Sequence, residues 1–169
     1  MKTCPGAGFV FKTSTTADMN DSIILHRASF YALNEKGAFM NAAYVDNSYK
    51  WAGGGFISTT LDLLKFGEAH MKPGYLSEET LEELTSSQVL NDGEKTGYGI
   101  GWFTKEVDGK KRIRHGGGSI GGITDFVVYP EQELVLAVVS NSSNTRFGDV
   151  VGRIVGMFLE VEEEELTAE

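Results

Sequence analysis

Along this chain the spacing of apolar residues changes period, and the changes mark its elements. Residues 28–42 ("ASFYALNEKGAFMNA") hold two short apolar runs on either side of Asn34-Glu35-Lys36-Gly37, a turn-forming cluster that predicts a hairpin. A polar loop follows from Asp46 to Lys50, then a glycine loop, "WAGGGF", from Trp51 to Phe56. A helix is expected from Ser58. Leu61, Leu64, Lys65 and Ala69 fall at helical spacing, Phe66 and Met71 widen the apolar side, and Thr59 with Asp62 has the spacing of a capping box. Pro73-Gly74 is expected to stop it. Ser77 suits the N-cap of a second helix, with Glu78 and Glu79 in the first turn and Leu81 and Leu84 facing inward.

From Tyr98 the period becomes two. Tyr98, Ile100 and Trp102 alternate with Gly99, Gly101 and Phe103, which reads as a strand. Asp108-Gly109 is a two-residue hairpin signal, with Arg112 to His115 as the returning strand. Ile123 to Tyr129 and Leu134 to Ser140 are two further strands, rich in valine and joined by Pro130-Glu131-Gln132-Glu133. Phe147 to Leu159 returns to helical spacing through Val150, Val151, Ile154, Val155 and Phe158. The predicted order is hairpin, two helices, four antiparallel strands, one helix: an α+β fold with an antiparallel sheet flanked by helices.

Composition narrows the function classes. The 169 residues carry a net charge of −9, which argues against a nucleic-acid partner. Glu160 and Glu162–Glu165 concentrate acid at the end of the chain, and 161–169 is expected to be a solvated tail. The lone Cys4 has no partner for an internal disulfide, and no apolar run reaches the length of a membrane span.

The candidate chemistry is "RIRHGGGSIGG" (112–122), in which one histidine precedes five glycines among residues 116–122. Four readings of His115 stand open. It is a strand-end histidine with an ordinary hydrogen bond, a metal ligand, part of a phosphate loop, or part of a substrate-facing edge strand. His26 and His70 give no ligand spacing with it and there is no cysteine pair, so metal is disfavoured. The glycines lead into a strand rather than a helix N-terminus, which disfavours phosphate. On an edge strand, glycines let an acyl group or a second backbone lie flat, and free N–H groups can stabilise an oxyanion.

Several stretches, in order, resemble the serine beta-lactamase-like hydrolases: class C beta-lactamases, penicillin-binding proteins and related esterases. "WAGGGFISTTLDLLKFG" (51–67) resembles that family's glycine-rich loop and helix. "YGIGWF" (98–103) resembles the strand before its third active-site motif. "HGGG" (115–118) stands where K-T-G or H-T-G is expected, and "DFVVYPEQELVLAVVSN" (125–141) resembles its paired strands. "YVDNSYKWAGGGF" (44–56) is most similar to mitochondrial members. The resemblance covers residues 12–160 as a C-terminal portion of the domain, and residues 1–11 fit it poorly.

The resemblance implies a beta-lactamase/transpeptidase-like fold lacking its N-terminal segment, with 112–115 as an edge strand lining the cleft. His115 takes the place of the motif's lysine, and Gly116 and Gly117 the next two places, Gly116 standing where Thr or Ser is usual. The Gly118 N–H is the implied oxyanion donor, and Ser119 is a substrate contact or a polar loop residue. No cofactor or metal is implied.

The family's S-x-x-K, which places serine and lysine one helical turn apart, occurs nowhere in these residues, and no convincing Y-x-N is present. The expectation is therefore a fragment of an amide or ester hydrolase that is inactive alone. The alternative is a non-catalytic binding or assembly module on the same scaffold. For the parent, the partner is a small-molecule or peptide acyl substrate, and an uncovered sheet edge allows self-association. Trp51 is expected as a packing anchor, Asp62 in the helix cap, and Asn141 satisfying backbone groups at a strand end.

Overall fold

The computed structural model describes residues 16–18, 21 and 23–167. The stretch 1–11 and Cys4 lie outside them. Its centre is a four-stranded antiparallel sheet of β5 (Phe103–Val107), β6 (Lys110–Ser119), β7 (Gly122–Tyr129) and β8 (Leu134–Ser140), in that spatial order. Two short pairs precede it: β1 (Thr16–Ala17) with β4 (Phe56–Ile57), and the hairpin β2 (Tyr31–Leu33) with β3 (Phe39–Asn41). The helices are α1 (Thr60–Glu68), α2 (Glu78–Thr85) and α3 (Val150–Thr167). The α+β order read from the sequence holds.

The sheet is covered on both faces. Ile113, Phe126 and Val128 pack with Trp102, Leu63, Leu84, Val135 and Ala137 on the side of α1 and α2. Val127 and Tyr129 pack with Val151, Val155, Leu136 and Val138 on the side of α3. This explains the unbroken apolar run Phe126–Tyr129 of β7, which is buried throughout. Ile113 and Val128 lose all contact with solvent, and each such side chain contributes about 1.5–3 kcal/mol by burial. Helix α1 comes very close to the sheet at Gly67, where a Cβ would stand 2.5 Å from Val135 Cγ1.

Local chemistry sets the boundaries. The Thr59 hydroxyl accepts from the Asp62 N–H at 3.3 Å, and the Ser77 hydroxyl from the Thr80 N–H at 3.2 Å, so both caps stand as expected. Helix α1 ends at Glu68 rather than at Pro73, because His70 N–H and Met71 N–H bond to the carbonyls three residues back and tighten the last turn. Asp108 (φ 50°) and Gly109 (φ 74°) both turn left-handed, as the primed two-residue hairpin requires. Residues 98–102 form a turn rather than a strand. Gly101 has φ 80°, and the Gly99 N–H bonds to Trp102 O, so β5 starts only at Phe103. Helix α3 starts at Val150 rather than Phe147 and continues past Leu159 into the glutamate run, a good helix former by propensity.

Candidate active site

Structure places Gly116, Gly117 and Gly118 inside strand β6 rather than ahead of a strand. Pairing with β7 (Gly116↔Asp125, Gly117↔Thr124, Gly118↔Ile123) supplies the ladder that glycine alone does not favour. The edge expected at 112–115 is closed as far as Arg114, because Ile113 and Arg114 are paired on both sides. On its outer side, β5 pairs with β6 only from Lys110 to Arg114. Among the described residues the open edge is therefore His115–Ser119, where alternate residues turn backbone N–H and C=O away from β7.

Along this edge His115, Gly117 and Ser119 share a face with the buried Ile113. All five residues from His115 to Ser119 are exposed. Gly117 leaves the floor bare between the two side chains, which are about 13 Å apart along an extended strand. Arg114, on the other face, forks onto the buried Asp125 with bonds of 2.7 and 2.6 Å, fixing β6 to β7 just before the open stretch.

At one end, His115 Nε2 and the Tyr98 hydroxyl lie 3.1 Å apart. Phe103 completes the surround. Its ring centroid is 4.7 Å from Tyr98, edge-on, and 5.6 Å from His115. At the other end, Lys50 Nζ donates to the Ser119 hydroxyl at 3.1 Å. Tyr98 and Lys50 are site residues that the sequence reading did not single out. The first sat in an expected strand and the second in an undistinguished polar loop.

The loop carrying Lys50 is firmly built. Asn47 is buried and donates to Asp18 Oδ2 at 3.1 Å, which also accepts from Arg27 at 2.8 Å, while the Asp18 N–H reaches Gly55 O. Gly55 has no room for a side chain, since a Cβ would stand 2.7 Å from Trp51 N and 2.9 Å from Asn47 O. Trp51 is not the expected packing anchor. It is 68% exposed, its backbone bends to φ 45°, and the Asn47–Asp18–Arg27 network occupies the inner side of the loop.

Three histidines that look alike in sequence separate in space. His26 sits in a turn with φ 61°. His70 is buried against Phe66 and Trp102, with Nδ1 2.7 Å from Phe66 O. Only His115 of the three stands on the open edge. Among the described residues no group of three or more metal-ligating side chains converges. Asn141 donates to Ser29 O, and Asn144 accepts from the Leu33 N–H, so the end of β8 ties down the β2–β3 hairpin as structure. A cavity of about 500 Å³ lies on the opposite face of the sheet, between α3 and β6, away from His115.

The model of the Beta-lactamase family matches residues 12–155, most of the chain. The chain belongs to the Beta-lactamase family. Its human relative, the mitochondrial serine beta-lactamase-like protein LACTB, is 35% identical over 171 residues, covering 85% of this chain and 31% of the relative. The chain thus spans about a third of the curated relative it matches. A penicillin-binding protein from Bacillus halodurans superposes with TM-score 0.67 at 23% identity, covering 85% of this chain and 44% of that one. A D-amino acid amidase from Ochrobactrum anthropi gives TM-score 0.66 at 19% identity, covering 90% and 47%. The antiparallel sheet and flanking helices are therefore a beta-lactamase/transpeptidase-like fold, present in part. Among the described residues no helix is long and apolar enough to cross a membrane.

Proposed function

We propose that this chain supplies the substrate-facing strand of a serine hydrolase that cleaves amide or ester bonds, and that the nucleophile comes from polypeptide outside these residues. The observation that carries the reading is the open, bare edge His115–Ser119, and in this reading His115 takes the place of the family's third-motif lysine. An acyl group lies along the edge, with Gly116 and Gly117 allowing close approach and the Gly118 N–H donating to its carbonyl oxygen. A serine hydroxyl from the missing element adds to the carbonyl carbon. The C–N or C–O bond then breaks, and the departing amine or alcohol takes the serine's proton. Water hydrolyses the resulting ester. Ser119 contacts the substrate at the far end, oriented by Lys50. The human relative is mitochondrial by name, which supports proposing the same compartment for the parent of this chain.

Intact mass after incubation with a fluorophosphonate and a penicillin-type probe tests this. The chain alone should stay unmodified. Joined to the serine–lysine segment of a relative, it should gain one adduct, and His115→Ala should slow that gain at least tenfold. A stoichiometric adduct on the chain alone, above all on Ser119, would overturn the reading.

One observation favours a second reading, a non-catalytic assembly module. Beyond the single bridge of Tyr31 to Ser142, the outer edge of β8 meets no strand among the described residues, and Val139 there is exposed. Exposed Met157 and Phe158 on α3 add apolar surface. Sedimentation separates the two: a monomer at tens of micromolar favours the hydrolase reading, and concentration-dependent oligomers favour the module.

A further inference from the structure

The backbone of Tyr98 is fixed before any ligand arrives. Its carbonyl accepts from Gln88 N–H at 2.8 Å and from the Thr96 hydroxyl at 3.0 Å, and its N–H bonds back to Thr96 Oγ1. Its ring lies edge-on to Phe103, which leaves the hydroxyl aimed at His115 Nε2. Among the described residues this contact engages the His115 ring at Nε2, leaving its other nitrogen, Nδ1, to be the one turned to a ligand.

A neutral imidazole has one N–H and one lone pair, and the partner held at one nitrogen decides where the proton sits. A phenol is a stronger acid than an imidazole N–H, and an imidazole nitrogen accepts better than a phenol oxygen. The bond therefore forms with tyrosine donating. We infer that Tyr98 is a positioning residue that favours the Nδ1–H tautomer of the uncharged His115 ring, so that this ring presents a hydrogen-bond donor to whatever lies on the β6 edge. The inference rests on the reading of His115–Ser119 as the acyl-binding edge. It adds the kind of group that stands opposite His115: an uncharged acceptor such as a carbonyl or ester oxygen. A histidine so held replaces the motif's lysine as a donor without bringing a fixed positive charge.

The test is a long-range proton–nitrogen correlation spectrum of the histidine-labelled chain above the pH at which histidine is charged, with His115→Gln assigning the signals. His70 is a reference in the same spectrum, because its Nδ1 faces a carbonyl and must carry the proton there. Wild-type His115 should match the His70 pattern. Tyr98→Phe keeps the ring and removes the donor, and should move the tautomer ratio toward Nε2–H by about threefold to tenfold, the reach of one ordinary hydrogen bond. A wild-type His115 mainly in the Nε2–H form overturns the inference, and so does a ratio unchanged by Tyr98→Phe. If Tyr98→Phe fails to fold, the wild-type pattern alone decides. Ligand titration of the same sample reads the edge itself, so a site that binds nothing is distinguished from a histidine held in the other form.

Discussion

Arg114 on β6 reaches diagonally to Asp125 on β7 through two parallel hydrogen bonds, one residue before the strand opens to solvent at His115. The carboxylate is buried while the guanidinium is nearly half exposed. The pair therefore acts as a staple at the point where β5 stops covering β6. Asp125→Ala should cost about 1–3 kcal/mol in urea unfolding, the range for losing charged hydrogen bonds when the remaining partner can still reach water. Arg114→Lys should recover less than half of the stability, because an ammonium cannot make the fork.

Gly117 separates binding from stability. A Cβ there would meet only the Thr124 hydroxyl at 3.4 Å, an ordinary contact. Gly117→Val should therefore leave unfolding within about 0.5 kcal/mol of wild type or raise stability slightly, since valine favours strands. The same substitution covers the bare floor between His115 and Ser119. Affinity for an acyl ligand, followed by fluorescence, should fall by more than about tenfold, the effect of filling a contact surface with a branched side chain.

At Gly67 the effect should run the other way. A Cβ would strike Val135 Cγ1 at 2.5 Å and Phe126 Cζ at 3.1 Å, so α1 must move off the sheet. Gly67→Ala should destabilise by about 1–3 kcal/mol despite alanine's better helix propensity. Ligand affinity, measured well below the unfolding midpoint, should stay within about twofold of wild type, because Gly67 packs on Val135 and Phe126 rather than on the open edge.

Much of this architecture is legible in the sequence. Apolar spacing locates α1, α2, β7 and β8, and Asn34-Gly37 and Asp108-Gly109 locate their turns, the second also marking the first half of β6, because these depend on local chemistry. Tyr98–Trp102 misleads, since alternation with glycine imitates a strand while Gly101 at positive φ makes a turn. The extent of the open edge is set by where β5 ends, a long-range pairing that no spacing within β6 reveals. Trp51 misleads because an aromatic side chain next to glycines gives no sign of which side of the loop the buried Asn47 will take. His115 and its glycines stand out as a motif. Tyr98 and Lys50 join the site only through contacts 17 and 69 residues away in sequence.

The most direct test of the central claim, that His115–Ser119 is an acyl-binding edge, is an amide-resolved NMR titration of the chain with N-acetylphenylalaninamide. Saturable shifts should concentrate at His115–Ser119, Tyr98 and Lys50 and be abolished by Gly117→Val. Shifts confined to the α3 side of the sheet, or none at millimolar ligand, would contradict that claim.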